Sequence, residues 1–191
     1  MKRAEKPTNL YEMLPRYVTE PVELSDDTYL PAIARDFEWE GLRLTFVFSP
    51  AKIWSESGGD KHYYPGDREK LIEIALRKLT LPENINFRQE EWTLDFSFTD
   101  LMKLISGISG DSAYKEEDIR LGLEILGNVT YQLLTEKAEL HFRPVERLQK
   151  VEKDGEIYYR ARFSELFFNR MEHFDICFLG KKVNKTNLQK T

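Results

Sequence analysis

Three helical segments followed by a two-stranded hairpin, all between Tyr64 and Phe163, constrain the fold of this chain most strongly. One helix follows Pro65-Gly66-Asp67, a second opens at Phe98-Thr99-Asp100, and a third spans about Tyr114–Gly127. The two strands after them are joined by Asp154-Gly155, which is typical of a tight hairpin turn. Three helices and then a hairpin is the order of a winged helix-turn-helix, a nucleic-acid-binding module. The predicted fold class is therefore α+β, a winged helix-turn-helix with an N-terminal strand and arm extension.

The apolar residues of each predicted helix recur with the period of an amphipathic helix. In the first helix this pattern places Glu73 and its charged neighbours Arg68, Lys70 and Arg77 outward. The second helix is predicted over Asp100–Ser106, and a turn over 107–112 separates it from the third. The predicted inward residues of the three helices are Leu71, Ile72, Ala75, Leu76, Leu79, Leu101, Leu104, Ile105, Ile119, Gly122, Leu123 and Leu126.

Alternation of apolar and polar residues predicts β-strands on both sides of the helices. Residues 42–48 form one predicted strand, paired with Phe37-Glu38-Trp39 across Glu40-Gly41. A short strand precedes Phe98. After the third helix the predicted strands are Val129–Leu134, Glu139–Lys150 for the most part, and Glu156–Phe163.

We expect three regions along the chain. Residues 1–36 form an extended N-terminal arm, because Pro7, Pro15 and Pro21 prevent a long helix there. Residues 37–175 form the winged-helix domain, closed by a helix at Leu166, Phe167 and Met171, and residues 176–191 form a basic polar tail. The arm is predicted to pack through Leu10, Tyr11, Met13, Leu14, Tyr17 and Val18.

Charge is distributed unevenly along this chain of 191 residues. The net charge is −5, from 28 basic and 33 acidic residues, which disfavours a protein that simply coats DNA. Residues 64–128 hold 8 basic and 13 acidic side chains, whereas Arg143–Phe163 hold 6 basic against 4 acidic. Four lysines and no acidic residue follow from Lys181 onward. Any phosphate-binding face is therefore predicted on the hairpin and tail.

The sequence predicts a cytoplasmic, non-enzymatic protein without a metal or cofactor. There is no run of ~18 apolar residues for a membrane span, and the single cysteine, Cys177, cannot form an internal disulfide. His62, assigned to a loop, His141 and His173 lack the spacing of zinc ligands. No phosphate-cradling Gly-x-x-x-x-Gly-Lys-Ser/Thr loop is present. Neighbouring acidic residues at 116–118 splay around a helix, which disfavours a two-metal nuclease.

Candidate DNA contacts lie in the third helix and in the hairpin with its approach. In the third helix, Tyr114, Lys115 and Arg120 can donate hydrogen bonds to base edges and phosphates. The acidic residues at 116–118 have a structural explanation instead, because carboxylates stabilise a helix N-terminus. Arginines of the last strand could grip phosphates, or they could be an ordinary solvated edge that discourages pairing. The candidates are Tyr114, Lys115, Arg120, Arg143, Arg147, Lys150, Lys153, Arg160 and Arg162.

A family resemblance supports the same interpretation. Its segments are Phe46–Ala51, Tyr63–Leu71, Ala75–Leu79, Phe98–Leu101, Glu117–Asn128 and Arg160–Phe163. In this order they resemble the N-terminal winged helix of plasmid replication initiator proteins, over about residues 37–170. Initiators of this family have two winged helices, of which the second usually supplies the main major-groove contacts. The first contributes to dimerisation and secondary DNA contacts, and residues 172–191 are too few for another domain.

The resemblance implies a protein that binds repeated sequences of double-stranded origin DNA, a second copy of itself, or both, and so controls replication initiation. Two other functions stay open. The module could be a dimerisation or protein-interaction domain that never contacts DNA, which the acidic third helix and net charge favour. It could also be a transcriptional repressor acting at its own promoter.

Overall fold

The computed structural model describes residues 10–19, 29–39, 41–54, 59–80, 85–88, 91–110, 114–136 and 138–168. The predicted tail, the three residues Met171, His173 and Cys177, and half of the arm lie outside these ranges. Helices within them are α1 Leu10–Met13, α2 Asp67–Leu79, α3 Phe98–Ser109, α4 Glu116–Asn128 and a 3₁₀ helix Glu165–Phe168. Strands are β1 Ile33–Trp39, β2 Leu42–Ser49, β3 Ala51–Trp54, β4 Asp60–Tyr63, β5 Ile85–Arg88, β6 Glu91–Ser97, β7 Thr130–Leu134, β8 Glu139–Phe142, β9 Val145–Lys153 and β10 Glu156–Phe163.

The fold is mixed, with two antiparallel four-stranded sheets packed around the helices. The first sheet has the order β1-β2-β7-β8 and the second β5-β6-β10-β9, while β3 and β4 pair as a separate hairpin. Trp39 pairs with Leu42 across Gly41, which confirms the predicted pairing of the two N-terminal strands. Gly41 has a positive φ of 75°, a conformation that glycine adopts without strain. The first strand begins at Ile33, earlier than predicted.

The hairpin of β9 and β10 forms as the sequence predicts. Asp154 and Gly155 have φ values of 54° and 77°, so both central turn residues are left-handed, as a two-residue hairpin turn requires. Lys153 and Glu156 pair directly beside the turn. The strand β6, which lies between α2 and α3 in sequence, pairs along the other side of β10. A three-stranded unit of β6, β10 and β9 therefore accompanies the three helices.

One predicted strand is wrong in its extent. Glu139–Lys150 was expected to be mostly one strand, but it is divided at Arg143-Pro144 into β8 and β9, which belong to different sheets. Proline has no backbone N–H and cannot continue a ladder of hydrogen bonds. Phe142 and Val145 on either side of the break are both buried. The chain thus passes from one sheet to the other while keeping its apolar side chains in the core.

The three main helices are confirmed, with three corrections. Glu73 of α2 is buried with only 2% of its surface exposed, so its predicted outward position is wrong. Helix α3 continues past the predicted end at Ser106 to Ser109, because Gly107 remains helical and the left-handed residue is Gly110, with φ of 80°. The predicted turn therefore begins three residues later. Helix α4 starts at Glu116, two residues after Tyr114.

The helices pack closely because a glycine stands at their contact. A Cβ atom on Gly122 of α4 would lie 2.3 Å from Ile72 Cδ1 of α2, which is closer than real contacts allow. Both Ile72 and Leu123 are buried, as predicted. The N-terminal segment joins this core through Leu10, Tyr11 and Leu14. Phe167 stacks on Phe163 with ring centroids 4.4 Å apart. The described part of the predicted closing helix, Glu165–Phe168, is a 3₁₀ helix.

Candidate nucleic-acid interface

The predicted DNA-binding residues of β10 and of α4 lie on opposite sides of the second sheet. Tyr159 and Ala161 of β10 face the core, and Arg160 and Arg162 alternate with them toward solvent. The Arg120 side chain of α4 donates a 2.6 Å hydrogen bond from Nη1 to the Tyr159 hydroxyl, so α4 lies on the core side. The arginines of the last strand and Arg120 of the third helix therefore do not form one continuous surface.

Arg160 and Arg162 are both paired with carboxylates of the same sheet. Arg160 donates two hydrogen bonds of 2.6 Å to the two carboxylate oxygens of Asp95, its cross-strand neighbour on β6. Arg162 Nε lies 2.9 Å from Glu146 Oε2. The hydrogen bond to Asp95, and then its charge, raise the pKa of Arg160. The carboxylate partners of these two arginines largely cancel the positive field expected at this face.

Arg120 is held against the protein by three different contacts. It forms an ion pair with Glu116, one turn earlier in α4, in addition to its bond to Tyr159. Its guanidinium carbon also lies 4.3 Å from the centroid of the Phe98 ring. A contact from Arg120 to a base edge would require these interactions to break. Arg120 therefore serves to fix α4 against α3 and the sheet in this structure.

Four predicted cations remain exposed: Lys115, Arg143, Arg147 and Lys150. Among the described residues, no side-chain hydrogen bond or ion pair holds any of them. Lys150 pairs with Tyr159 in register and so belongs to the side of the sheet that α4 covers, whereas Arg147 pairs with Arg162 on the outer face. Lys115 precedes α4, and its backbone N–H donates to Asp118 Oδ2 at 2.9 Å.

The other two candidate DNA contacts are Tyr114 and Lys153. Tyr114 is partly buried and packs against the core, so its ring is only partly accessible. The backbone of Lys153 ends β9, but its side chain lies outside the described structure. The acidic residues Glu116, Glu117 and Asp118 occupy the first turn of α4, as the sequence predicts. Carboxylates there complement the positive end of the helix dipole, but they repel phosphate.

The histidines in the described part of the chain do not gather into a metal site. His62 lies in strand β4 rather than in the predicted loop, and His141 lies beside Glu139 in β8. Throughout the described ranges, no three His, Cys, Asp or Glu side chains are grouped so that they could hold a metal ion. Within the same ranges, none of the helices has both the length and the apolar character needed to span a bilayer.

Sequence reasoning missed a cluster of buried polar groups where the N-terminal segment meets α2. Arg16 Nη1 lies 3.1 Å from Glu73 Oε1, and the hydroxyls of Tyr11 and Tyr17 donate to Glu73 Oε2 at 3.2 and 2.5 Å. Arg77 Nε approaches the same carboxylate at 3.4 Å. Burial, and then the charge of Glu73, raise the pKa values of both tyrosines. We call Tyr11, Arg16, Tyr17, Glu73 and Arg77 the buried polar cluster.

Comparison with solved structures identifies a related fold. No family model matches the sequence, and no curated protein matches it. A crystal structure of domains 2 and 3 of the protein RctB, as a selenomethionine derivative, superposes with a TM-score of 0.54 at 17% sequence identity. The match covers 91% of this chain and 63% of the RctB chain.

A second structure of RctB domains 2 and 3 gives a TM-score of 0.47, also at 17% identity. This second match covers 78% of this chain and 56% of the RctB chain. The chain thus spans less than two thirds of the length of either RctB structure. At this low identity, the first match establishes a likeness of fold.

Proposed function

We propose that this chain is a replication-initiator-like domain that binds double-stranded DNA through a winged-helix unit. RctB, whose domains 2 and 3 have a similar fold, is a replication initiator of Vibrio chromosome II. The observation that carries the proposal is the pairing of β6 with β10. With this pairing, α2, β6, α3, α4, β9 and β10 follow the order helix, strand, helix, helix, strand, strand. Strand β5 is inserted before β6, and strands β7 and β8 are inserted before the hairpin.

Duplex DNA is proposed to lie along the edge strand β9, where exposed cations have no carboxylate partner among the described residues. Arg147 and Lys150 project from the two faces of β9, and Arg143 precedes that strand. Lys115 adds a charge at the start of α4. Because phosphate contacts release counterions, a few such cations are enough for salt-dependent binding. Repeated origin sequences are the proposed target, and the role requires neither catalysis nor a cofactor.

A titration by fluorescence anisotropy against duplex origin repeats from the same replicon tests this proposal. The double variant Arg147→Ala/Lys150→Ala should bind about tenfold more weakly and lower the logarithmic salt slope by roughly two units. The matched control is Lys70→Ala/Lys78→Ala, which removes the same charge from the exposed side of α2. Absence of duplex binding by the parent at micromolar protein, or equal effects of both variants, would contradict the proposed interface.

A protein-interaction role is the second candidate, and the edge strand β9 favours it. This strand ends the second sheet, and the apolar side chain of Val151 is exposed on it. A second copy could pair its own strand there, since edge strands present unpaired backbone groups. Light scattering over a concentration series separates the two functions. A dimer that forms without any affinity for duplex repeats would support the second one.

A further inference from the structure

The hairpin of β3 and β4 presents an exposed polar and aromatic face beside α4. Helix α4 packs against β3, where Ala51 is fully buried. Because strand residues alternate between faces, Lys52 and Trp54 point away from that buried side. In register, Lys52 stands opposite His62 and Trp54 opposite Asp60. Trp54 and His62 are therefore diagonal neighbours on the outer face, close enough for aromatic side chains to share one ligand.

Two large aromatic rings on this face are accessible to solvent. Trp54 is 70% exposed and Tyr29 is 75% exposed. The Tyr29 ring stands edge-on to His62, with centroids 5.0 Å apart and an angle of 78° between the planes. The chain just after Tyr29 is held in place, because the carbonyl oxygen of Pro31 accepts a 2.5 Å hydrogen bond from the Tyr64 hydroxyl. We call Tyr29, Lys52, Trp54 and His62 the aromatic hairpin face.

His62 has unused hydrogen-bonding capacity on this face. Both of its ring nitrogens are covered, and neither has a hydrogen-bond partner among the described residues. A covered imidazole nitrogen without a partner is unfavourable, because it has lost its water without gaining a new bond. A planar ligand with donors and acceptors on its edge could displace the Tyr29 ring and satisfy these nitrogens. The same ligand could stack on Trp54.

We propose that the aromatic hairpin face binds unpaired nucleobases. Lys52 is paired with Asp60 at 2.5 Å, so its charge is partly cancelled and stacking must supply most of the affinity. Nucleobases combine flat aromatic surfaces with polar edges, which match the rings of Trp54 and Tyr29 and the nitrogens of His62. The face adjoins α4, which also packs against β9 of the proposed duplex interface. This inference rests on the proposed function only in taking nucleic acid as the ligand.

The experiment compares labelled oligo-dT with an abasic oligomer of the same length, which keeps the phosphates and lacks the bases. The intact chain should bind oligo-dT clearly better than the abasic oligomer. Trp54→Ala should weaken binding to oligo-dT by about tenfold, the expected effect of losing one base–aromatic stack. Trp54→Phe should retain most of the affinity, because it retains a ring. The matched control is Ile74→Ala, which removes an exposed apolar side chain from α2.

The outcomes separate this inference from the proposed duplex interface. Loss of oligo-dT binding in Trp54→Ala with duplex affinity changed less than twofold supports the aromatic hairpin face. Oligo-dT binding without any duplex binding would overturn the duplex interface and leave this inference intact. Equal affinity for oligo-dT and the abasic oligomer, or no effect of Trp54→Ala, would overturn the inference. It would also fall if Trp54→Ala abolished a dimer detected by light scattering, since the face would then bind protein.

Discussion

Two regions of this protein join arginine to carboxylate in opposite environments. In the buried polar cluster, the side chains of Arg16 and Glu73 are 7% and 3% exposed and lie 3.1 Å apart. On the outer face of the second sheet, Arg160 and Asp95 are 56% and 44% exposed, yet they form two hydrogen bonds of 2.6 Å. The exposed pair has the better geometry. Burial, rather than geometry, decides how much each pair matters for stability.

The physical reason is the solvent around each pair. Water screens the exposed charges and can replace the partner of either one, so such pairs contribute little. Inside the protein the charges have lost their water, and removing one partner leaves the other uncompensated. Arg16 depends on Glu73 and on the Tyr11 ring, whose centroid lies 3.8 Å from its guanidinium carbon. The buried polar cluster thus holds the N-terminal segment against α2.

The largest expected effect is therefore at Glu73. Glu73→Ala should lower the free energy of unfolding by about 3–5 kcal/mol, because Arg16 would be left buried without its carboxylate. Urea unfolding followed by circular dichroism measures this change. Asp95→Ala is the matched control, since it removes one carboxylate from an arginine on the surface. If both variants lost equal stability, burial would not be what distinguishes the two regions.

A pH dependence should follow from the buried tyrosines. Burial raises the pKa values of Tyr11, Tyr17 and Tyr131 in the folded state, so their stabilising effect is complete below the unfolded value of about 10. Above pH 10 the unfolded chain releases phenolic protons that the folded chain keeps. The free energy of unfolding should then fall by about 1.4 kcal/mol per pH unit for each tyrosine.

Tyr17→Phe tests this dependence within the buried polar cluster. Between pH 8 and 11, the free energy of unfolding measured with urea should decline less steeply in Tyr17→Phe than in the parent. The difference should correspond to the ionisation of about one tyrosine. Tyr29→Phe is the control, because it removes a phenol that is exposed in the folded chain. A decline of the same steepness in Tyr17→Phe and the parent would show that this phenol ionises alike in both states.

The smallest expected effect is at Arg160. Arg160→Ala should leave the free energy of unfolding almost unchanged, since an exposed pair contributes little. Its effect on duplex affinity should be less than twofold, because Asp95 already neutralises this charge. Chemical denaturation and anisotropy titration measure the two quantities. A drop in affinity comparable to that of Arg147→Ala/Lys150→Ala would place Arg160 in the DNA-binding surface.

Local sequence patterns predicted those elements whose conformation depends on near neighbours. The helix α2, the strand β10 and the turn at Asp154-Gly155 all formed as expected. Their apolar spacing and turn residues encode conformation over a few positions. The end of α3 was misplaced because Gly107, predicted to open the turn, is helical, and Gly110 adopts the terminating conformation. A glycine alone does not show which position will have a positive φ.

The candidate site was harder to predict, because the value of a charge depends on what lies beside it. Arg160 and Arg162 were correctly placed on the solvent side of β10. Their partners could not be inferred, since Asp95 lies 65 residues away in sequence and becomes a neighbour only through sheet pairing. Glu73 was placed outward because it is charged. Its partner Arg16 approaches from a proline-containing segment with no helical or strand pattern.

By itself, the sequence determined where the three helices lie, how the hairpin turns and that apolar residues such as Ile72 and Leu123 face inward. These features follow from periodicity and backbone preference, which act over a few residues. Only the tertiary structure decided that Glu73 is buried, that Asp95 neutralises Arg160, and that Pro144 marks the passage between two sheets. Each of these depends on groups distant in the chain meeting in space, and electrostatic interactions depend on distance and solvent access rather than on sequence order.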